Sequence, residues 1–331
     1  MKFKEFVGID ISKLKFDVRV LSTQKSSLLE NNTNGFKKLI SWLLKNVSCN
    51  KEEILIAMEH TGIYSLPISV FLSEKGYNFV LLPGLEIKRS LGIQRGKNDK
   101  IDAKRIAEYA YQKRDKIIPS RLPFENILKM RRLLALRDRL VRQRGSFLKD
   151  SKENLLFLKP KDNKVLLEVI EKSIKDQNKL IIKIEKELDS IIKSDELIKK
   201  QYYLIISIKG VGKQTALVMI AYTNCFTNFD TWRKFASYAG TAPFPYTSGT
   251  SVKGRNKVSH LANKKIKALL NLCAISAILY NPEMKIYYQN RKAKGANGMS
   301  TINIIRNKLI ARIFAVVKRG TPYVETFKFA A

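Results

Sequence analysis

The chain has 331 residues, with 62 Lys and Arg against 29 Asp and Glu, a formal net charge of +33. That length allows two or three domains with real cores, and a charge so positive makes a polyanion, nucleic acid first, the expected partner. The composition excludes most other classes. The longest nearly apolar run, Ala268 to Tyr280, is too short to span a bilayer, and residues 1–6 carry no signal-peptide pattern. Cys49, Cys225 and Cys273, with His60 and His260, are too scattered for a disulfide framework or a zinc site. A reducing cytoplasmic compartment is expected, and any metal here must be a hard ion held by oxygen, Mg²⁺ or Mn²⁺.

Phe6-Val-Gly-Ile-Asp10 predicts a buried strand ending on an acid, and residues 15–21 alternate like a half-solvated second strand. Residues 28–32 form a possible third strand, followed by a helix through Phe36, Leu39, Ile40, Leu43 and Leu44. Ile54 to Met58 predicts another apolar strand, again ending on an acid, Glu59. A helix then carries Leu66, Val70, Phe71 and Leu72, and a strand runs from Phe79 to Leu82. Three antiparallel strands followed by alternating helices and strands predict an α+β sheet domain.

An acid at the end of an apolar strand needs a reason. Asp99 and Asp102 add two more carboxylates, three residues apart at a helix start, so both can share one face. The helix dipole alone explains acids in a first turn; Asp10, Glu59, Asp99 and Asp102 together suggest more. Four convergent carboxylates need counter-charge, and two divalent ions about 3.5–4 Å apart would supply it for phosphodiester chemistry. Asp17, in an alternating strand beside Arg19, reads as a surface residue.

Residues 125–158 predict a strongly basic helix in which Arg131, Arg132 and Arg139 are candidate phosphate contacts. Lys159-Pro160 breaks it. The next helix carries a heptad seam, Leu167, Ile170, Ile174, Gln177, Ile181, Ile184, Leu188 and Ile191, either self-paired in a hairpin or paired across a dimer. Gly210-Val-Gly212-Lys213 lies between two apolar helical runs. It is not a phosphate-binding Walker loop, since Gln214 replaces the Ser/Thr; it resembles a helix-hairpin-helix turn whose amides hold a phosphate. A helix ends near Gly240, and a Pro-rich loop then presents Ser248-Gly249 ahead of Lys253, Arg255 and Lys257. A closing amphipathic helix, 301–317, buries Ile304, Ile305, Leu309, Ile313 and Phe314, with Arg306, Lys308 and Arg312 facing elsewhere. Before it, residues 287–294 form a basic-aromatic patch.

The blocks Phe6-Val-Gly-Ile-Asp-Ile-Ser-Lys13, Met58-Glu-His-Thr-Gly-Ile-Tyr64 and Lys97-Asn-Asp-Lys-Ile-Asp-Ala103 resemble the acidic blocks of the DEDD transposases of the insertion-sequence-110 family, related to Piv-type DNA invertases. His60 stands where that pattern often has Ala. Tyr238-Ala-Gly-Thr-Ala-Pro and Ser248-Gly-Thr-Ser-Val-Lys-Gly-Arg255 resemble the family's C-terminal signature. The resemblance implies an N-terminal ribonuclease-H-like (RuvC-like) domain at 1–120, a helical coiled-coil arm at 121–199 used in assembly, and a mainly helical transposase domain with a helix-hairpin-helix at 200–331. It implies Asp10, Glu59, Asp99 and Asp102 as the metal-binding catalytic tetrad and Ser248 as the catalytic serine, with Ser251 the competitor. It further implies a homo-oligomer, dimer or tetramer, acting on DNA under the direction of an element-encoded guide RNA in a bacterial or archaeal cytoplasm, associated with the nucleoid. A metal-dependent junction nuclease using water is the alternative, and a catalytically silent nucleic-acid-binding protein is a third.

Overall fold

The computed structural model describes residues 3–90, 99–159, 161–248 and 252–325. The chain divides into two compact units, residues 1–122 and 123–331.

In the first unit β1 (Glu5–Ile11), β2 (Lys15–Val20), β3 (Ser26–Glu30), β4 (Ile54–Glu59) and β5 (Asn78–Leu82) form one sheet in the order β3-β2-β1-β4-β5. The first three strands are antiparallel; β4 and β5 run parallel to β1. Each fits its sequence. β1 and β4 sit centrally and are apolar on both faces, whereas β2 alternates buried Phe16, Val18 and Val20 with half-buried Asp17 and Arg19. One face packs Val7, Ile9, Val18 and Met58 with Phe36, Leu39 and Leu43 of α1 (Thr33–Asn46) and Leu72 of α2 (Leu66–Glu74). The other packs Phe6, Leu55 and Val80 with Ile87 of α3 (Gly84–Ser90) and with Ile106, Tyr109 and Ala110 of α4 (Asp99–Gln112). Caps explain several helix starts; Asn32, for example, accepts from the Gly35 amide at 2.9 Å and opens α1.

The second unit is mostly helical. α5 (Glu125–Phe157) and α6 (Lys164–Ser194) form an antiparallel hairpin, clipped by Arg137 to Glu185 at 2.7 Å and by Arg144 to Asn178 at 2.7 Å. The C-terminal half of the α6 seam packs inside this hairpin: Ile181, Ile184, Leu188 and Ile191 share a core with Met130, Leu134 and Leu140. Over that half the seam's partner is the chain's own α5. Beyond the hairpin come α7 (Glu196–Ile206), α8 (Lys213–Thr223) and α9 (Trp232–Tyr238). A two-stranded ribbon follows, β6 (Pro243–Ser248) with β7 (Val252–Val258), and then α10 (Lys264–Tyr280), α11 (Pro282–Ala293) and α12 (Gly298–Arg319).

Two readings are corrected here. The expected Pro-rich loop is a hairpin, because Pro243 and Pro245 lie in a two-stranded ribbon where every strand is an edge and a missing amide is tolerated. Arg306, expected on the polar side of the closing helix, is only 6% exposed: its guanidinium donates to Asn271 and, at 3.3 Å, to Asn303. Burial depresses its pKa.

Candidate functional site

Two strand ends and one helix build the acidic site. β1 and β4 pair in parallel through Ile9 and Met58, so Asp10 and Glu59 follow as the next residues on adjacent strands. Strand alternation puts Asp10 on the same face as Phe6 and Gly8, and Glu59 on the same face as Leu55 and Ala57. That is the face covered by α4. The helix lies so close to β1 that a Cβ at residue 8 would collide with the Ala103 carbonyl oxygen and crowd the Ala107 amide; only glycine fits. The contact seats the first turn of α4, which contains Asp99 and Asp102, against the strand bearing Asp10. The Glu59 carboxylate lies over Gly84, where a Cβ would need the space of Oε1.

Asp102 is half-buried and pairs with Arg105 one turn on, at 2.8 Å. The side chain of Asp99 lies outside the described residues, as does the segment 91–98. Among the described residues no three His, Cys, Asp or Glu side chains stand close enough to hold a metal together. Asp10 and Glu59 are brought together by register, and the Gly8 contact holds Ala103, the residue after Asp102, against β1.

Asp17 needs a different reading from the one its own strand suggested. It is the direct antiparallel partner of Asp10, so both side chains point to the α4 face, and it is half-buried. Alternation along one strand shows that Asp17 faces away from the core of Phe16 and Val18; only the pairing register reveals what it faces instead.

In the second unit, β6 ends at Ser248 and β7 carries Lys253, Arg255 and Lys257. Lys257 is exposed. The side chains of Ser248, Lys253 and Arg255, and all of Ser251, lie outside the described residues. The ribbon is anchored at its root. The buried Thr241 carbonyl accepts from Asn303 at 2.8 Å and from Asn307 at 2.9 Å, both on α12. On the return side Asn263 donates to the Tyr238 hydroxyl at 3.0 Å.

The Gly210-Val-Gly212 segment forms a turn between two helices, α7 and α8. Gly210 takes φ +94° and rests on Ala277 of α10, where a Cβ would sit 2.7 Å from the alanine methyl. Gly212 is the α8 N-cap and has open space beside it. Lys213 reaches back to Asp189 of α6 at 2.6 Å. The basic helix divides its arginines. Arg132 and Arg139 are exposed and seven residues apart on one side of α5. Arg131 is turned inward, its Nε donating to the Ala221 carbonyl at 2.8 Å beside the Tyr222 ring, and burial lowers its pKa. That side chain braces α5 on α8, a role the arginine count alone concealed.

Comparison with known proteins matches both units, the first match running on into α5 of the second. Residues 7–160 match a family model of DEDD-type IS110 transposases, described as "Transposase". Residues 202–289 match one described as "Transposase IS116/IS110/IS902 family". The pilin gene-inverting protein of Moraxella bovis is 24% identical over 331 residues, covering 97% of this chain and 98% of its own; that of Moraxella lacunata matches equally. An IS110 insertion-element protein of 43.6 kDa from Streptomyces coelicolor is 31% identical over 120 residues, 36% of this chain and 29% of its own. A basic two-unit chain with acids at adjacent strand ends and these relatives is a DNA-rearranging enzyme, a transposase. It belongs to the IS110 family. A DEDD transposase implies a divalent metal, and the donors at hand, carboxylate oxygens from Asp10, Glu59 and Asp102, are of the kind that suits a hard ion. No described helix is long and apolar enough to cross a membrane.

Proposed function

We propose that the chain cuts and rejoins DNA strands to move or invert a DNA segment, with Asp10, Glu59, Asp99 and Asp102 as the metal-binding carboxylates and the Ser248 hydroxyl as nucleophile. The observation that carries this reading is the meeting of β1, β4 and α4 through Gly8 in a chain of this family. Three antiparallel strands followed by two parallel ones, in the order β3-β2-β1-β4-β5, support a ribonuclease-H-like, RuvC-like assignment for residues 1–120. The arm is assigned to 121–199 and the transposase domain to 200–331.

A bound Mg²⁺ or Mn²⁺ would supply charge neutralisation at a phosphodiester. Asp10 and Glu59 would hold such an ion from two strands whose spacing the sheet fixes, and Asp99 and Asp102 would close over it from the first turn of α4. Ser248 acts from the tip of a basic ribbon. Its Oγ forms a bond to phosphorus, the bond from phosphorus to a sugar oxygen breaks, and the departing sugar oxygen ends protonated as the serine loses its proton. Lys253, Arg255 and Lys257 neutralise the phosphate. Gly210, Gly212 and Lys213, with Arg132 and Arg139, contact the nucleic-acid backbone. The excess of 33 positive charges supports simultaneous binding of DNA and a structured guide RNA. The working form is a homo-oligomer. The name of the Moraxella relatives supports inversion as one outcome of the same strand exchange.

Two substitutions test the proposal with element-end DNA, the element's non-coding RNA and Mg²⁺. Ser248→Ala should abolish strand exchange and any covalent protein–DNA adduct while leaving DNA binding intact; persistent exchange overturns the serine role. Asp10→Ala should abolish the same chemistry while melting like the parent, and unchanged activity overturns the metal site.

A further inference from the structure

The second unit holds a cavity that none of this chemistry uses. After α8, Asn224, Cys225 and Phe226 take φ of 52°, 54° and 63°, three consecutive non-glycine residues in the left-handed region. Such backbone is strained and persists only where its surroundings enforce it. The bend swings Phe226 onto α12, its ring edge-on to Phe314 at 5.0 Å. Between the segment 226–232 and α12 opens a cavity of about 490 Å³, walled by Phe226, Phe229, Trp232 and Phe314, with Lys318 and Asp230 at the rim.

All four rings are half-buried, so their faces line the cavity without closing it. The surround is cationic. Arg233 lies over the Trp232 ring at 5.0 Å, Lys318 is exposed, and the one rim carboxylate, Asp230, is matched by Lys234 at 2.5 Å. The aromatic wall continues from Phe229 through Phe235 to Tyr238, whose hydroxyl meets Asn263 at the root of the β6–β7 ribbon.

We infer that this cavity receives a single unpaired base of the DNA being rearranged. An aromatic slot accepts any base by its π-face, and a cationic rim meets the flanking phosphates. Strand exchange produces such bases, because partner strands separate before they rejoin. Family membership establishes action on DNA, so the inference stands whether or not Ser248 is the nucleophile.

The full chain carrying Trp42→Phe leaves Trp232 as the sole tryptophan reporter. It is titrated with a duplex bearing one unpaired thymine, with the perfectly paired duplex, and with an RNA duplex bearing one unpaired uracil. The expected result is quenching of Trp232 by the bulged DNA and not by the paired duplex. Ala315→Phe, which fills the mouth from an exposed position on α12, should weaken bulged-DNA binding about tenfold, or about 1.4 kcal/mol, and leave paired-duplex binding unchanged. If that variant melts early, Lys318→Glu provides the same test from the rim. Equal quenching by both DNA duplexes overturns the inference, as does quenching by the RNA alone. So does quenching that grows with protein concentration in the absence of nucleic acid, which would give the cavity to a second copy of the chain. Unchanged bulged-DNA binding in a folded Ala315→Phe or Lys318→Glu variant overturns it as well.

Discussion

The two units hold their candidate groups in opposite ways. Asp10 and Glu59 stand at the ends of the two most buried strands of a five-stranded sheet, with a helix pressed onto the strand beside them. Ser248 stands at the end of an exposed two-stranded ribbon, a structure that is marginal in water by itself. The acids take their geometry from the core beneath them, whereas the ribbon takes its geometry from side-chain hydrogen bonds at its root. Packing defects should therefore damage the first site, and lost hydrogen bonds the second.

The largest effect expected from this contrast is at Gly8. Valine there must push α4 off β1, which should cost about 3 kcal/mol in urea unfolding of the first unit and remove strand exchange altogether. A Gly8→Val protein of parental stability would break the account of the acidic site. The ribbon root comes next. The double change Asn303→Ala and Asn307→Ala strips the buried Thr241 carbonyl of both side-chain donors, a loss of about 2 kcal/mol. Adduct yield should fall with it while Mn²⁺ binding, followed by calorimetry, stays at the parental value; a parallel loss of metal binding would contradict the division.

A finer test falls on Gly84. Alanine there needs the space of the Glu59 carboxylate oxygen, and that side chain can swing aside, so stability should change little. Mn²⁺ affinity should drop about tenfold, equivalent to about 1.4 kcal/mol; an unchanged affinity would remove Glu59 from the site. The smallest effect is confined to alkaline solution. Burial pushes the Cys225 thiol up to about 11, against 9.0 in the unfolded chain. The unfolded form then releases its proton first, so this contribution to stability is complete below pH 9 and lost between pH 9 and about 11. Melting temperature of the second unit followed across that range, with Cys225→Ala as the comparison, measures it.

Much of the first unit was legible in the sequence because a buried strand and a helix face have different periods. Phe6 to Asp10 and Ile54 to Glu59 declared both the strands and the acids that end them. Asp17 was misread for a physical reason: alternation within one strand says which residues share a face, but the residue across the ladder depends on register. Arg306 and Arg131 were misplaced because sequence counts charge without burial, and both are held inward by carbonyl and amide oxygens. The ribbon was hidden behind its prolines. The seam of α6 was plain, but its partner was not, since a heptad pattern reads the same whether the opposing helix is near in the chain or in another copy.

Forty-eight residues of chain separate Asp10 from Glu59 and more than forty others separate Glu59 from Asp102, yet none of that length sets how far apart the carboxylates lie. One hydrogen atom where other residues carry a Cβ, at position 8, lets helix and strand nest backbone to backbone. The spacing of the acids is thereby inherited from the ladder and the helix pitch, and the connecting segments can change in length without retuning it.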